Sequence, residues 1–328
     1  MKAVIVDKNE AGEITSGLRD VDESILDNGG DVLIETAYAG LNYKDGLVLN
    51  GGGGLVREFP RIAGIEMSGR VLSSADSRYQ PGDEVLVTGW RFGETWHGGF
   101  AEKVNVKADF LVRLPAGLSL KQAMVLGSPG ISAMFALESL EHMGLSPEKG
   151  VVLVTGAAGG VGSCAVALLN ACGYEVAAVT GRIETSGAFL QDLGATQLVP
   201  REELAEAIAR PLESERWAGC IDNVGGEMLA RVIGQIAYGG SVAAIGNAGG
   251  LKVPANVIPF LLRGVNILGI DSVHQPYERR VKCWQRLAEQ FPLEKLEAIC
   301  QDATLEEIIP LSEQILRGQV QGRVVVSF

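Results

Sequence analysis

The stretch VVLVTGAAGGVG, residues 151–162, holds residue types whose spacing carries a chemistry. The apolar run from Val151 to Thr155 gives way to Gly156, Gly159, Gly160, Val161 and Gly162. The small and apolar run SCAVALLNACG then follows, long enough for a helix. This is the pattern of a strand, a tight glycine turn and a helix start. Glycine at every third position, 156, 159 and 162, lets backbone approach a ligand where side chains would block it. The first N–H groups of the new helix then face an anion, most often the diphosphate of a dinucleotide. Ordinary turns share such a pattern, so its weight depends on the company it keeps.

Two further loops keep it company. The strand-like GCIDNV (219–224) runs into DNVGGE, and GSVAAIG (240–246) runs into GNAGG. Together with 151–155, EVAAVT (175–180) and TQLVP (196–200), these make five strand candidates separated by helical stretches. Such alternation predicts a doubly wound parallel sheet, and the nearly continuous apolar runs fit strands covered on both faces. In such sheets ligands bind outside the carboxyl ends of the strands, where all three glycine loops lie.

The end of the second strand selects the nucleotide. An NAD site places Asp or Glu there to accept from the ribose hydroxyls. Here the chain reads Thr180, Gly181, Arg182, and the planar fork of an arginine suits a 2′-phosphate. Arg201, just past the third strand, can reach the same end. The plain alternative for both is a solvated surface charge. The reading favours NADPH.

Around this block the texture differs. DVLIETAYAG (31–40), DEVLVTGW (83–90) and FLVRLP (110–115) alternate as strands, with turn chemistry between them, and the chain ends in QVQGRVVVSF. A β-rich front and a strand-like tail around an α/β block predict one domain inserted into another. The boundaries fall at 1–120 plus 265–328 for the catalytic domain and 121–264 for the nucleotide domain. The four glycines Gly51 to Gly54 read as a flexible loop, or as a mobile rim over a site.

Composition narrows the class. A formal charge of −12 argues against nucleic acid or an anionic membrane as partner. No apolar run reaches the length of a membrane helix, and no signal segment opens the chain. The five cysteines form no CxxC, and the three histidines are far apart, so no metal site and a reducing, cytoplasmic setting are expected. TGAAGGVG also matches the turn of short-chain dehydrogenases, but the YxxxK pair they require is missing.

LNYKD (41–45), GIEMSG (64–69), PGDEV (81–85), GGFAE (98–102), TGAAGGVG, LGA (193–195), DNVGGE and QGRVVV occur in this order. In this the chain resembles the zinc-free, quinone-oxidoreductase-like branch of the medium-chain dehydrogenase/reductase superfamily. Zinc-dependent relatives carry a histidine where this chain has Ile65. VTGWRFGETWHGGFAE, VTGR, PFLLRGVNILGIDSV and PYERR are similar to the acryloyl-CoA reductase subfamily. The resemblance implies a Rossmann-type sheet inserted into a β-rich GroES-like domain. It also implies NADPH-dependent reduction of the C=C bond of a 2-enoyl-CoA thioester.

It further places LNYKD beside the nicotinamide, where hydrogen-bond donors must do the work of the missing zinc: Asn42 and Tyr43 are the candidates, Tyr43 donating to the oxyanion, delivering a proton or holding the cofactor, or else only packing its ring, with Asp45 fixing their loop. Asn247, Leu261 and Ser272 line the cofactor on the same reading, and a homodimer forms through the edge of the nucleotide domain. Arg57, Arg61, Arg279 and Arg280 are candidate cations for CoA. The same fold also serves quinone or enone reductases, and a non-catalytic NADPH-binding protein would keep the same loops.

Overall fold

The structure is a computed structural model and describes residues 1–51, 54–206 and 210–328. Of the four glycines expected to form a loop or rim, Gly52 and Gly53 lie outside the described residues. The chain forms two compact units. One comprises Met1–Ser128, Val273–Ala288 and Ile299–Phe328; the other comprises Pro129–Ser272 and Glu289–Ala298.

The first unit opens with β1 (Lys2–Lys8), β2 (Ile14–Asp20), β3 (Val32–Leu41) and β4 (Arg61–Ile62). It continues with β5 (Glu66–Ser74), β6 (Glu84–Thr88), β7 (Lys103–Val106) and β8 (Leu111–Arg113). The second unit supplies β9 (Val152–Val154), β10 (Val176–Thr180) and β11 (Gln197–Pro200), then β12 (Trp217–Asp222), β13 (Ile236–Ala244) and β14 (Asn266–Gly269). β15 (Cys300–Ala303) and β16 (Arg323–Ser327) return to the first unit.

In the second unit the sheet order is β11-β10-β9-β12-β13-β14, every pairing parallel. β9, β10 and β12 are buried along their whole length. That is why they read as unbroken apolar runs. The order reverses between β9 and β12, which is where a doubly wound sheet opens its ligand crevice.

β14 corrects the sequence-drawn boundary at 265. Its backbone pairs with β13 over Ser241↔Asn266 to Ala244↔Gly269, so residues up to Ser272 stay with the parallel sheet. A four-residue strand carries too little pattern for the sequence to show which sheet takes it.

The first unit holds an antiparallel sheet of order β15-β16-β3-β5-β6-β8, with only β15–β16 parallel and β7 added on β3. A smaller sheet runs β2-β1-β4. β16 pairs antiparallel with the end of β3, Val324 opposite Leu41 and Val325 opposite Gly40. The last residues of the chain thus hold the strand that delivers LNYKD.

Helix α1 (Tyr43–Leu49) follows β3 directly, and α2 (Leu120–His142) follows β8. α2 breaks at Gly127, which has φ 49°, ψ −151°. Among the described residues it is the one helix long and apolar enough to cross a membrane, and 83% of that apolar window is buried inside the protein.

One buried ion pair ties these pieces together. All five N–H donors of Arg323 are used. Nε donates to Val125 O at 3.0 Å, and Nη1 to Leu41 O at 2.9 Å and Asn42 Oδ1 at 3.1 Å. Nη2 donates to Met124 O at 3.2 Å and to Glu66 Oε1. The other oxygen of Glu66 accepts from Ser128 N–H, just past the break in α2. Glu66 and Arg323 are both buried, so removing one leaves a charge without water or partner. Arg323→Met is expected to lower stability by about 3–5 kcal/mol in urea unfolding, and Glu66→Gln added to it to recover part of that loss.

His97 has a structural place. Its Nδ1 accepts from Ile62 N–H at 3.1 Å, which makes Nε2 the protonated nitrogen. Burial, with help from the Arg61 charge, pushes its pKa down to about 4. The unfolded chain therefore binds a proton near pH 6.5 that the folded chain refuses until about pH 4. Stability is lost as pH falls through that window, by up to about 3 kcal/mol. Urea titrations at pH 7.5 and 4.5 should show this loss in the wild type and a smaller one in His97→Asn, whose amide oxygen can replace Nδ1.

Candidate active site

In the second unit the glycine turn is built where the sheet order reverses. Thr155, at the end of β9, donates its hydroxyl to Asp222 Oδ1 at 2.6 Å, at the end of β12. Asn223 N–H donates to Thr155 Oγ1 at 2.9 Å, and Asn223 Nδ2 to Thr155 O at 2.7 Å. Gly225 N–H donates to Asp222 Oδ2 at 2.9 Å. The two glycine loops are thereby laced together. Burial raises the Asp222 carboxyl above its usual range, and the Thr155 and Gly225 donors oppose that rise. DNVGGE was legible as a ligand loop, but not Asp222 as its organiser, because the bonded threonine lies 67 residues away.

Each glycine of the turn has its own reason. Gly156 takes φ 59°, a left-handed conformation that favours glycine. A Cβ on Gly162 would overlap Gly156 O and Ala157, so the turn lies flat on helix α3 (Gly160–Ala171). Gly159 caps α3, and Gly160 and Val161 open its first turn, which carries no acidic residue. The N–H groups at this end meet no competing carboxylate, which is what a bound diphosphate requires.

At the far side of β10, Thr180 is buried and its Oγ1 accepts from Arg182 N–H at 3.1 Å. Arg182 caps α4 (Ile183–Asp192), and Arg201 opens α5 (Arg201–Ala205). The Arg201 guanidinium lies over Gly181; a Cβ there would stand 2.8 Å from its Cζ. Thr180, Gly181 and Arg182 line a cavity of about 380 Å³ together with Glu184 and Glu202, and Arg201, over Gly181, has its Nη2 3.8 Å from Glu202 Oε1. Space and guanidinium charge fit a phosphate on an adenosine ribose, and an Asp or Glu at position 181 is absent.

Asn247 is exposed in the loop after β13, its Cα 3.3 Å from where a Gly225 Cβ would sit. Ser272 is half-buried past β14. Leu261 lies on α6 (Ile258–Arg263) and is 70% exposed, beside an exposed Leu262.

In the first unit, LNYKD is pinned at every residue but one. Arg323 holds Leu41 O and Asn42 Oδ1. Asp45 accepts from Asn42 N–H at 2.8 Å and from Ile65 N–H at 2.9 Å, fixing α1 to the start of β5. Burial, with the Glu66 charge adding, pushes the Asp45 carboxyl up to about 7 against the pull of those two donors. Lys44 Nζ reaches Glu94 Oε1 at 2.9 Å. Tyr43 alone projects, 38% exposed at the first position of α1.

Several expectations change. Asn42 is buried as the N-cap of α1; its Nδ2 donates to Gly40 O at 3.3 Å and its Oδ1 is held by Arg323. Both ends of its amide are thus engaged by the fold. Arg280 is buried and donates to Thr88 O at 2.6 Å, and Arg61 is buried and paired at 3.1 Å with the exposed carboxylate of Glu58; neither is a surface cation. Arg279 donates to Gln275 Oε1 at 2.9 Å. Beside Arg280, Trp90 stacks on Phe110, and Trp96 meets the edge of the same phenyl ring.

Glu94 was missed, since nothing in VTGWRFGETWHGGF marks one acid as buried. It is 4% exposed and carries Arg91 Nε at 3.5 Å as well as Lys44. Its loop passes through Trp90 (φ 57°) and Arg91 (φ 56°), two adjacent non-glycine residues in the left-handed region. Each costs about 1–3 kcal/mol.

Comparison with known proteins agrees with this geometry. The family profile described as the alcohol dehydrogenase GroES-like domain matches residues 28–116, and that described as zinc-binding dehydrogenase matches 160–289. Position 65, a histidine in the zinc-dependent relatives, is isoleucine, and no group of three or more His, Cys, Asp or Glu among the described residues could hold a metal. Acrylyl-CoA reductase AcuI of Ruegeria pomeroyi is 56% identical over 99% of this chain and 98% of its own length. The crystal structure of the Salmonella enterica yhdH oxidoreductase in complex with NADP superimposes with TM-score 0.96 at 45% identity, covering both chains fully. That of Bacillus subtilis yhfP with NAD bound gives 0.95 at 44%, covering 100% and 99%. The chain belongs to the medium-chain dehydrogenase/reductase family, in its quinone-oxidoreductase-like, acrylyl-CoA-reductase branch.

Proposed function

We propose that this chain is an NADPH-dependent reductase of the C=C bond of short 2-enoyl-CoA thioesters, acryloyl-CoA foremost, yielding propionyl-CoA. The observation that carries the reading is full-length identity of 56% to a named acrylyl-CoA reductase, joined to a cavity lined by Arg182, with the Arg201 guanidinium over Gly181 next to it. In this reading Gly156, Gly159, Gly160, Val161 and Gly162 take the diphosphate. Thr180, Gly181, Arg182 and Arg201 take the adenosine 2′-phosphate, and Asn247, Leu261 and Ser272 lie toward the nicotinamide. Bound there, the reduced nicotinamide supplies a hydride.

Tyr43 donates its hydroxyl to the substrate carbonyl or holds the cofactor, and its exposure beside pinned neighbours is what suits it to either. Asp45 keeps it aimed through the Asn42 and Ile65 N–H groups. Exposed Leu251, Val257 and Leu262, with Ile267 on the outer strand β14, support a homodimer joined at that edge. The setting is the cytoplasm.

A second reading, reduction of quinones or enones, is favoured by 44% identity to the Bacillus subtilis protein named putative quinone oxidoreductase YhfP. Purified protein assayed with NADPH against acryloyl-CoA, crotonyl-CoA and a simple quinone separates the two; turnover with quinone alone overturns the CoA assignment.

Two substitutions check the residues. Arg182→Ala together with Arg201→Ala is expected to weaken NADPH binding about 10- to 100-fold while leaving NADH affinity in place, read by fluorescence titration. Equal weakening of both nucleotides would remove the guanidiniums from the 2′-phosphate. Tyr43→Phe is expected to lower kcat or NADPH affinity at least several-fold, roughly the loss of one hydrogen bond, with an unchanged melting temperature. Unchanged kinetic constants would take Tyr43 out of the mechanism.

A further inference from the structure

Three locally unfavourable features meet at one point of the first unit. Lys44 stands in the first turn of α1, where a cation opposes the helix dipole. A carboxylate, Glu94, is buried to receive it. The loop delivering Glu94 crosses the two left-handed residues Trp90 and Arg91. Strained backbone and rule-breaking charges of this kind gather where a function holds them in place. Here they converge on the residue next to Tyr43.

Reduction of a carbonyl-conjugated C=C bond is helped by a hydrogen-bond donor, neutral or charged, at the carbonyl oxygen. When a hydride from a reduced nicotinamide adds at the β-carbon, the C=C electron pair moves toward the carbonyl and leaves an enolate oxygen. A proton taken up at the α-carbon restores the carbonyl and completes the CH–CH bond. Without a stabilising donor, the enolate oxygen carries the full developing charge. Asn42 has its amide engaged inside the fold. Lys44 has not: Glu94 accepts from one of its three N–H groups, and its side chain remains 32% exposed.

We propose that Lys44, held by Glu94, is a catalytic residue beside Tyr43 that donates to the substrate carbonyl oxygen as it becomes negative. This rests on the reductase reading above; a thioester and an enone give an enolate protonated at carbon and a quinone a hydroquinone anion protonated at oxygen, and in each case negative charge grows on a carbonyl oxygen. Glu94 is then a positioning residue: it acts only through Lys44, fixing where the ammonium points and offsetting the cost of burying its stem.

The test compares Lys44→Met, Glu94→Leu and the double variant Lys44→Met/Glu94→Leu with the wild type. Readouts are kcat, NADPH Kd by fluorescence titration, and melting temperature. Each is assayed on whichever of acryloyl-CoA and a simple quinone the wild type reduces faster. Failure of the substrate reading then shows in the wild type, and failure of Lys44 shows in the variants. Lys44→Met is expected to lower kcat about 100-fold, as loss of one oxyanion donor does, with NADPH Kd unchanged. An apolar pair replacing a partly buried ion pair restores folding stability. The double variant is therefore expected to melt with the wild type yet remain about 100-fold slow. Recovery of kcat along with melting temperature in the double variant would make the pair a brace and overturn the proposal, as would wild-type kcat in Lys44→Met. Lys44→Arg, which keeps charge and donors, is expected to retain at least a tenth of the rate; a loss as deep as that of Lys44→Met would also count against it.

Discussion

Glu66 and Arg323 face each other with no water between them, and charges are placed that way at high cost unless each polar atom finds a partner. Here they do. The guanidinium donates to four backbone or amide oxygens besides the carboxylate, and the carboxylate accepts from Ser128 N–H as well. The pair therefore works less as an attraction between two charges than as a junction of backbone. It joins the last strand, the end of β3, the cap of α1 and the break in α2. Tyr43 stands where it does because Leu41 and Asn42 on one side, and Asp45 on the other, have no freedom left.

The second unit uses a carboxylate in a related way. Asp222 is buried at the end of a central strand and accepts from Thr155 and Gly225, which lie on different glycine loops. Loops that must leave their remaining N–H groups free for a ligand cannot be held by ordinary ladder bonds. A buried acceptor can hold them from behind. In both units a buried acid fixes loop backbone, and the exposed residues next to it are the ones available for chemistry.

Much of the fold was legible because the second unit obeys local rules. Its strands are buried on both faces and so are uninterrupted apolar runs, and its loops carry glycines that turn geometry demands. The candidate site was legible in part. The places of Gly156, Thr180 and Arg182 at the ends of parallel strands could be read because a strand–turn–helix unit is written in residues near one another in sequence. Asn42 was read as a donor for substrate because its amide suits that role; that it also caps α1, with its Nδ2 donating to Gly40 O and its oxygen held by Arg323 281 positions later, was not legible. Arg280 looked like a surface cation until the Thr88 carbonyl and the Trp90 ring enclosed it. β14 offered four residues, too few to reveal its sheet.

What the sequence determined by itself was everything governed by short-range physics. That covers the strand–glycine–helix unit, the parallel sheet, the guanidinium in place of an acid after β10, and the tyrosine at a strand end. Turn geometry, periodicity and charge type act over a few residues and leave a local record. Tertiary structure alone decided which polar side chains are spent on the fold and which remain for a substrate. Glu66 with Arg323, Glu94 with Lys44 and Asp222 with Thr155 are partners separated by 257, 50 and 67 positions. Whether an acid is buried or solvated depends on what the distant chain brings to it, and one residue's type does not record that.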